Sequence, residues 1–319
     1  MTRGEYSVTA IITTHNRRTF LERAVNSVFS QDYDDLDLIV VDDASTDDTK
    51  EYMTALAEAD ERVTYIRIAP EDSKGANHAR NTGAAAAEGE FIAFLDDDDE
   101  WLPYKTKMQT AFFRRYPEAA AVSADWIDVY KFRNKQYEIS TKHRFKREKN
   151  GFFATSYMSI TSTYMIRREA FEKIGGFDET LMDIHEIELS YRLCMNYSVG
   201  YIKKPVYKYY HYYDGKSISA NPDNYLKALD MVKAKYSKEL SELTEEQKEK
   251  RRLTEAIDIS DRFLIAGNNR MFRRTIRPVL GKLSKWKRIK YILSYFCGIK
   301  PITMVYILLK KTEQKIKGD

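Results

Sequence analysis

Residues 91–101 read FIAFLDDDDEW, an unbroken apolar run from Phe91 to Leu95 that ends in Asp96, Asp97, Asp98 and Asp99. Five consecutive apolar residues suit a strand buried on both faces, as in a parallel sheet covered by helices. The same design recurs upstream. Val8–Ile12 runs into Thr13-Thr14-His15-Asn16-Arg17, and Leu36–Val41 runs into Asp42-Asp43-Ala44-Ser45. Val63–Ile68 reads as a further strand. Helical patterns separate these strands: Phe20–Phe29 with Leu21, Val25 and Val28 on one face, Thr46–Ala59 with Ser45 or Thr46 as its cap, and Asn77–Ala87. A further helix is expected from Pro103 at its first turn. Alternating strands and helices define an α/β fold with a parallel sheet.

Downstream the pattern loosens. Ala119–Ser123 and Ser162–Ile166 read as strands, Arg168–Ile174 as a short helix stopped by Gly175 and Gly176, Glu186–Met195 as a helix and Gly200–Tyr213 as extended chain. Tyr130–Arg147 suits a hairpin or a loop. After Asn221 the chain turns helical and charge-rich. The expected organisation is therefore a catalytic domain over residues 1–220 and a helical, basic module over 221–319.

The 319 residues, 43% hydrophobic and 31% charged, fit a globular protein rather than a disordered one. Only Cys194 and Cys297 are present, which excludes a disulfide framework and a four-thiolate metal site. No apolar stretch reaches the ~20 residues of a membrane span, and the amino terminus lacks a signal-peptide layout. The expected location is a reducing cytoplasm. Charge is unevenly distributed: residues 270–319 hold 14 Lys plus Arg against 2 acids, a local +12 that leaves −8 on residues 1–269 of a +4 chain. The run Lys282–Lys290 mixes cations with Trp286 and leads into Tyr291–Phe296, and the apolar run Ile302–Leu309 follows Pro301. Such a tail suits the inner face of an anionic membrane, a subunit contact within a homo-oligomer, or a helix packed on the body. Nucleic acid is not an expected partner, because an acidic rim opposes phosphate tracking.

Ligands of open α/β sheets bind beyond the carboxyl ends of the strands, where these polar residues collect. Several carboxylates on one rim repel unless a cation or donors hold them. Capping explains one acid per helix start, such as Asp99 or Asp42, but not four in a row. A hard divalent ion, Mn²⁺ or Mg²⁺, takes oxygen ligands and commonly uses one or two carboxylates with phosphate oxygens and water. Spacing i, i+2 just past a strand can place two carboxylates, here Asp96 and Asp98, on one side of a turn.

Taken together, VTAIITTHNR, LDLIVVDDASTDDT and GANHARNTGAAAAEGEFIAFLDDDDEW resemble the nucleotide-sugar domain of family 2 glycosyltransferases with the GT-A fold, and STYMIRREAFEKIGGFDETL resembles the acceptor side of that family. The resemblance covers residues 7–210. It implies a Rossmann-like GT-A domain that transfers a sugar, with inversion, from a nucleoside diphosphate (UDP by preference) to a hydroxyl of a glycan or lipid-linked glycan in cell-surface polysaccharide synthesis. Residue by residue it implies that Thr13 and His15 flank the uridine, although tyrosine often stands where His15 does. Asp43 pairs with the uracil imide, Arg80 lies near the nucleotide, and Asp96 and Asp98 form the D-x-D metal pair. Asp97 touches the donor ribose or sugar. The family's catalytic base, usually aspartate, aligns with Glu186, one methylene longer. Asp183, His185 and Glu188 are its substitutes.

Other roles stay open between acceptor and scaffold. Trp101 can stack on the acceptor or pack under the sheet edge, and Asp178 and Glu179 can bind acceptor or brace their loop. His185 stands beside the base on the acceptor side, and Ser162 and Thr163 face the acceptor or lie in a strand. A nucleotidyltransferase is disfavoured because TTHNRRTF lacks a glycine-rich phosphate loop. The remaining alternative is a non-catalytic nucleotide-sugar-binding subunit or sensor, motivated by Glu186 in an aspartate position.

Overall fold

A computed structural model describes residues 6–132, 135–141, 160–211, 221–283, 288–289 and 291–294. Residues 133–134 and 142–147 of the expected hairpin or loop Tyr130–Arg147, most of Lys282–Lys290, the run Ile302–Leu309 and Cys297 lie outside them. Within the described part of that stretch two strands pair antiparallel, as the hairpin alternative expects.

Four parallel strands form half of one sheet, in the order β3 (Val63–Ile68), β2 (Leu36–Asp43), β1 (Val8–Thr14), β4 (Phe91–Asp96). The apolar runs of β1, β2 and β4 have the cause the sequence suggests, burial on both faces, whereas the edge strand β3 exposes Thr64 and Arg67. Val8, Ala10, Ile12, Leu38, Val40, Phe91, Ala93 and Leu95 pack against α1 (Arg18–Phe29), α2 (Thr49–Ala59) and α4 (Lys105–Arg115). The alternate residues Ile11, Ile39, Val41, Ile92 and Phe94 pack against α3 (Ala76–Ala86), α5 (Arg168–Lys173) and α6 (His185–Asn196). Side chains of period two thus feed two cores.

Beyond β4 the sheet changes character. β8 (Met165–Arg167) is antiparallel to both β4 and β6 (Ala119–Phe132), while β9 (Ser198–His211) runs parallel to β6. β5 (Glu100–Trp101) closes the far edge on β9, and β7 (Lys135–Thr141) pairs with the outer half of β6. The sheet is mixed, so the parallel expectation holds only for its first four strands. Other local differences are instructive. Ser162 lies in a 3₁₀ turn, Thr161–Thr163, rather than in a strand, because its hydroxyl and those of its neighbours bond across to other segments. Neither Ser45 nor Thr46 caps α2, which starts later, at Thr49.

The helices α7 (Pro222–Lys235), α8 (Ser237–Ser241), α9 (Glu245–Ile265) and α10 (Asn269–Ile276) follow. Asn221 caps α7 and Pro222 occupies its first turn, while Thr244 and Gln247 form a capping box for α9. Tyr225, Ala228, Leu229 and Val232 of α7 share one core with Leu181, Ile184 and Tyr191, so the helical region is packed directly against the loop before α6. Among the described residues no helix is long and apolar enough to cross a membrane.

Candidate active site

The register sets the rim. Thr13 pairs with Asp96 and Thr14 with Asp42, which brings the ends of β1, β2 and β4 side by side. Backbone strain gathers here: Asn16 and Ala44, the residues that turn the chain after β1 and β2, both have positive φ (55° and 62°). Asn16 ties the two turns together, its N–H donating to Ser45 Oγ (2.8 Å) and its Oδ1 accepting from the Thr46 N–H (2.6 Å). His15 is exposed, with Nδ1 2.5 Å from the Asp43 carbonyl.

The two acids of β2 differ sharply. Asp42 is fully enclosed and satisfied, accepting from the Ser45 N–H, the Tyr65 hydroxyl and Arg67. Asp43 accepts from the N–H of Gly75 through Oδ2 (3.1 Å), but its buried Oδ1 has no hydrogen-bond partner. An orphaned carboxylate oxygen of this kind is costly unless a ligand donor completes it. Gly75 serves the approach with φ 89°, a conformation open to glycine.

In the acid run, side chains alternate. Asp96 and Asp98 are partly open (33% and 25% exposed), whereas Asp97 and Asp99 are buried. Asp97 accepts from Thr14 Oγ1 (2.8 Å) and Arg17 (3.2 Å), and Asp99 accepts from Ser162 Oγ (2.9 Å) and more distantly from the Tyr210 N–H. Burial, reinforced by the charge of Asp98, lifts the Asp97 carboxyl to about 7. Asp98 is raised by burial and then by Asp96, with Arg17 opposing. The charges of the two open carboxylates therefore oppose one another, the condition a bound cation relieves. Among the described residues no three His, Cys, Asp or Glu side chains are grouped to hold a metal alone. Asp96 and Asp98 fit the sparser arrangement in which phosphate oxygens and water complete the shell of Mn²⁺ or Mg²⁺.

Arg80, buried in α3, connects this rim to the other wall. Its Nη2 donates to Asp96 Oδ1 (2.7 Å) and its Nη1 lies 3.0 Å from His185 Nε2. His185 is held neutral, its pKa pushed well down by burial and then by Arg80 and Arg262. The same Nε2 lies 3.5 Å from Glu186 Oε2, an oxygen without a hydrogen-bond partner. Burial lifts the Glu186 carboxyl to about 7, while 22% of the side chain remains exposed. The two residues open α6 directly after Ile184, a buried β-branched residue at φ 49°. That conformation is disfavoured for isoleucine and aims the start of α6 toward the rim.

Several expected acceptor contacts are corrected. Trp101 is buried under the sheet edge, its Nε1 donating to the Ser162 carbonyl and its ring beneath Lys105 Nζ, so it presents no face to a sugar. Asp178 spends both oxygens on bracing, Oδ1 on Thr180 and Oδ2 on Lys235 of α7. Glu179 likewise binds Asn81 and His78. Ser162 and Thr163 are buried, bonded to Asp99 and Ser123, and do not face an acceptor. Among the substitutes for the base, Asp183 is clamped by Arg262, and Glu188 is enclosed by Arg192, Lys235 and Tyr236. Sequence reasoning missed Thr14, Asn16, Arg17 and Asn77. The last donates to the carbonyls of Asp178 and Leu181 and so ties α3 to the loop before α6. For Thr14, Asn16 and Arg17 the available signal was a polar type at or just past a strand end; Asn77, inside α3, offered none.

The sequence profile described as "Glycosyl transferase family 2" matches residues 9–175. The GalNAc(5)-diNAcBac-PP-undecaprenol beta-1,3-glucosyltransferase of Campylobacter jejuni is 42% identical over 106 residues, 33% of this chain and 34% of that protein. The UDP-Glc:alpha-D-GlcNAc-diphosphoundecaprenol beta-1,3-glucosyltransferase WfgD of Escherichia coli is 38% identical over 105 residues, 33% of this chain and 40% of that one. The matched stretch thus spans about a third of these relatives' length. Residues 1–349 of S. aureus TarS in complex with UDP-GlcNAc superpose with a TM-score of 0.57 at 16% identity, covering 98% of this chain and 92% of that one. The mannosyltransferase PcManGT from Pyrobaculum calidifontis, in complex with GDP-Man and Mn²⁺, gives 0.57 at 17% identity, covering 98% and 88%. At these identities the likeness establishes the shared GT-A fold.

Proposed function

The chain belongs to glycosyl transferase family 2, and from that premise we propose that it is an inverting glycosyltransferase taking its sugar from a UDP-sugar. The acceptor is a hydroxyl of a glycan or lipid-linked glycan in cell-surface polysaccharide synthesis. One observation carries the reading. The contacts Asp96–Arg80–His185–Glu186, at 2.7, 3.0 and 3.5 Å, join an open acid pair to a carboxylate with an unpaired oxygen. A leaving diphosphate and an attacking hydroxyl need these two chemistries within one cleft.

In this proposal the free Oδ1 of Asp43 accepts the uracil imide N–H, with Thr13 and His15 beside the nucleoside. Asp97 lies under the ribose or sugar. Arg80 neutralises Asp96 and steadies the phosphate side. Asp96 and Asp98 would hold Mn²⁺ or Mg²⁺, which when bound would supply positive charge for a departing diphosphate. Glu186 Oε2 takes the proton of the acceptor hydroxyl as oxygen attacks the anomeric carbon, while neutral His185 holds the neighbouring acceptor side. A carboxyl near 7 is a better base than an ordinary glutamate and is still ionised slightly above neutrality. One displacement, with base and leaving group on opposite faces, turns an α-linked donor into a β-linked product. The names of the two undecaprenol-linked relatives favour UDP-glucose chemistry on a lipid-linked acceptor.

We also assign residues 1–220 to catalysis and the basic helical region to an anionic membrane at its cytoplasmic face. The exposed Arg270, Arg274 and Arg277 on and just after α10 support this. Sedimentation with anionic and with neutral vesicles tests the attachment. The activity is tested by incubating UDP-sugars, Mn²⁺ and undecaprenyl-diphosphate glycans with the protein, while following UDP release and product anomery. Release of UDP with a β-linked product is expected. Donor binding without turnover across the acceptor panel would instead favour the sensor.

A further inference from the structure

The mechanism above gives Arg17 no part, yet its placement is odd on local grounds. It stands at the N-cap of α1, forms no side-chain cap, and the first turn holds no acid. The positive end of a helix dipole disfavours a cation there. What offsets that cost is the acid run: Arg17 Nη1 lies 2.7 Å from Asp98 Oδ2 and 3.2 Å from Asp97 Oδ1. Asp98 is one of the two carboxylates given above to the divalent ion. A guanidinium and a metal ion cannot both occupy its lone pairs at short range, because two cations so close repel.

The surroundings permit exchange. The Arg17 side chain is 29% exposed. Asp97 keeps the Thr14 hydroxyl if Arg17 departs. The neighbouring Arg23 is placed differently: it donates to the backbone carbonyl of Asp98 and lies over the Tyr210 ring at 3.8 Å.

We propose that Arg17 is an exchangeable counter-ion: it holds Asp98 while the site is empty and shifts to the diphosphate when donor and divalent ion enter together. Metal and nucleotide binding are coupled as a result. Without nucleotide, the ion must displace a bound guanidinium that has no other anion to meet. With a diphosphate present, Arg17 finds a bidentate phosphate partner, and Asp98 is released to the metal. The proposal rests on the assignment of Asp98 to the metal.

Calorimetric titrations with Mn²⁺ alone, UDP alone, and each in the presence of the other test it on the full chain, with Arg17→Met and Arg17→Lys beside the wild type. In Arg17→Met, Mn²⁺ alone is expected to bind about tenfold more tightly and UDP alone more weakly. The factor by which UDP strengthens Mn²⁺ binding is expected to shrink, and the reciprocal titration must give the same factor. Arg17→Lys, which keeps the charge without the planar fork, should fall between. Unchanged or weaker Mn²⁺ binding in a folded Arg17→Met protein, or an unchanged coupling factor, overturns the exchange alone. If the wild type fails to take up Mn²⁺ even with UDP, the metal assignment of Asp98 falls, and the exchange falls with it.

Discussion

Glu186 and Asp43 each keep one buried carboxylate oxygen without a partner, and the same fact has opposite consequences for stability and for chemistry. Burial raises the Glu186 carboxyl from 4.5 to about 7, so the folded protein retains a proton that the unfolded chain gives up. The stability from that proton is fully present below 4.5 and lost as pH rises through 7. The ionised base needed for turnover appears over the same interval, so kcat is expected to climb on an acid limb near 7. Glu186→Gln removes both effects. We expect turnover to fall about 10²–10⁴-fold and thermal stability at pH 8 to increase, measured by UDP release and by melting. Full activity in that variant would remove Glu186 from the base position. For Asp43, the neighbouring Asp42 is the control. Asp43→Asn replaces an acceptor by a group that can donate, and should weaken UDP binding with little change in melting. Asp42→Asn breaks the contacts to Tyr65 and Arg67 and should cost about 3 kcal/mol in denaturant titration.

At the scale of elements, what could be read depended on which forces were local. The strands β1, β2 and β4 declare themselves because burial on both faces demands largely apolar runs, whereas the alternation of Asp96 to Asp99 is set by a turn in which the Asp99 N–H donates to the Asp96 carbonyl. Ser162 misleads, since Ser-Thr-rich segments suit strands and turns equally until their hydroxyls find partners such as Asp99 and Ser123. Trp101 and Asp178 mislead for a related reason. Their surroundings come from β9, Ser162 and Lys235, which are distant in the chain. Arg80 sits between these cases. Its position on α3 was legible, but its aim depends on how closely α3 approaches the sheet. Gly83, one turn later on the same face, sets that distance: an added Cβ would lie 2.6 Å from Ile11 Cγ2 and 3.0 Å from Val41 Cγ2. Gly83→Ala should therefore push α3 outward. A loss of about 1–3 kcal/mol in denaturant titration is expected, with a fall in kcat/KM beyond the unfolded fraction because Arg80 moves off Asp96. Unimpaired kcat/KM in the folded fraction would show that the Arg80 bridge tolerates displacement.

The whole molecule enters the chemistry through a contact that spans 79 residues of sequence. Arg262, near the end of α9, grips Asp183 with both terminal nitrogens, at 2.8 and 2.9 Å. Asp183 in turn accepts from the Ile184 N–H at 2.7 Å, which fastens the strained residue that starts α6 and aims Glu186. The helical region thus braces the residues that lead into the proposed base, whereas the strands β1, β2 and β4 of the nucleotide rim lie outside that clamp. Burial already raises the Asp183 carboxyl, and Arg262 is the main force opposing that rise. In Arg262→Leu a buried carboxylate loses its partner, and a loss of about 3–5 kcal/mol is expected near pH 8. The loss should be smaller near pH 5, where Asp183 can take up a proton instead. Because the clamp orients Glu186 and not the donor site, kcat should fall while UDP affinity is kept. Asp183→Asn in the same background removes the stranded charge yet retains an acceptor for Ile184, so stability should return further than kcat. Steady-state kinetics and UDP titration on the folded fraction decide the matter. If kcat of Arg262→Leu matches the wild type once unfolded protein is discounted, the C-terminal helices steady the fold but have no hold on the base.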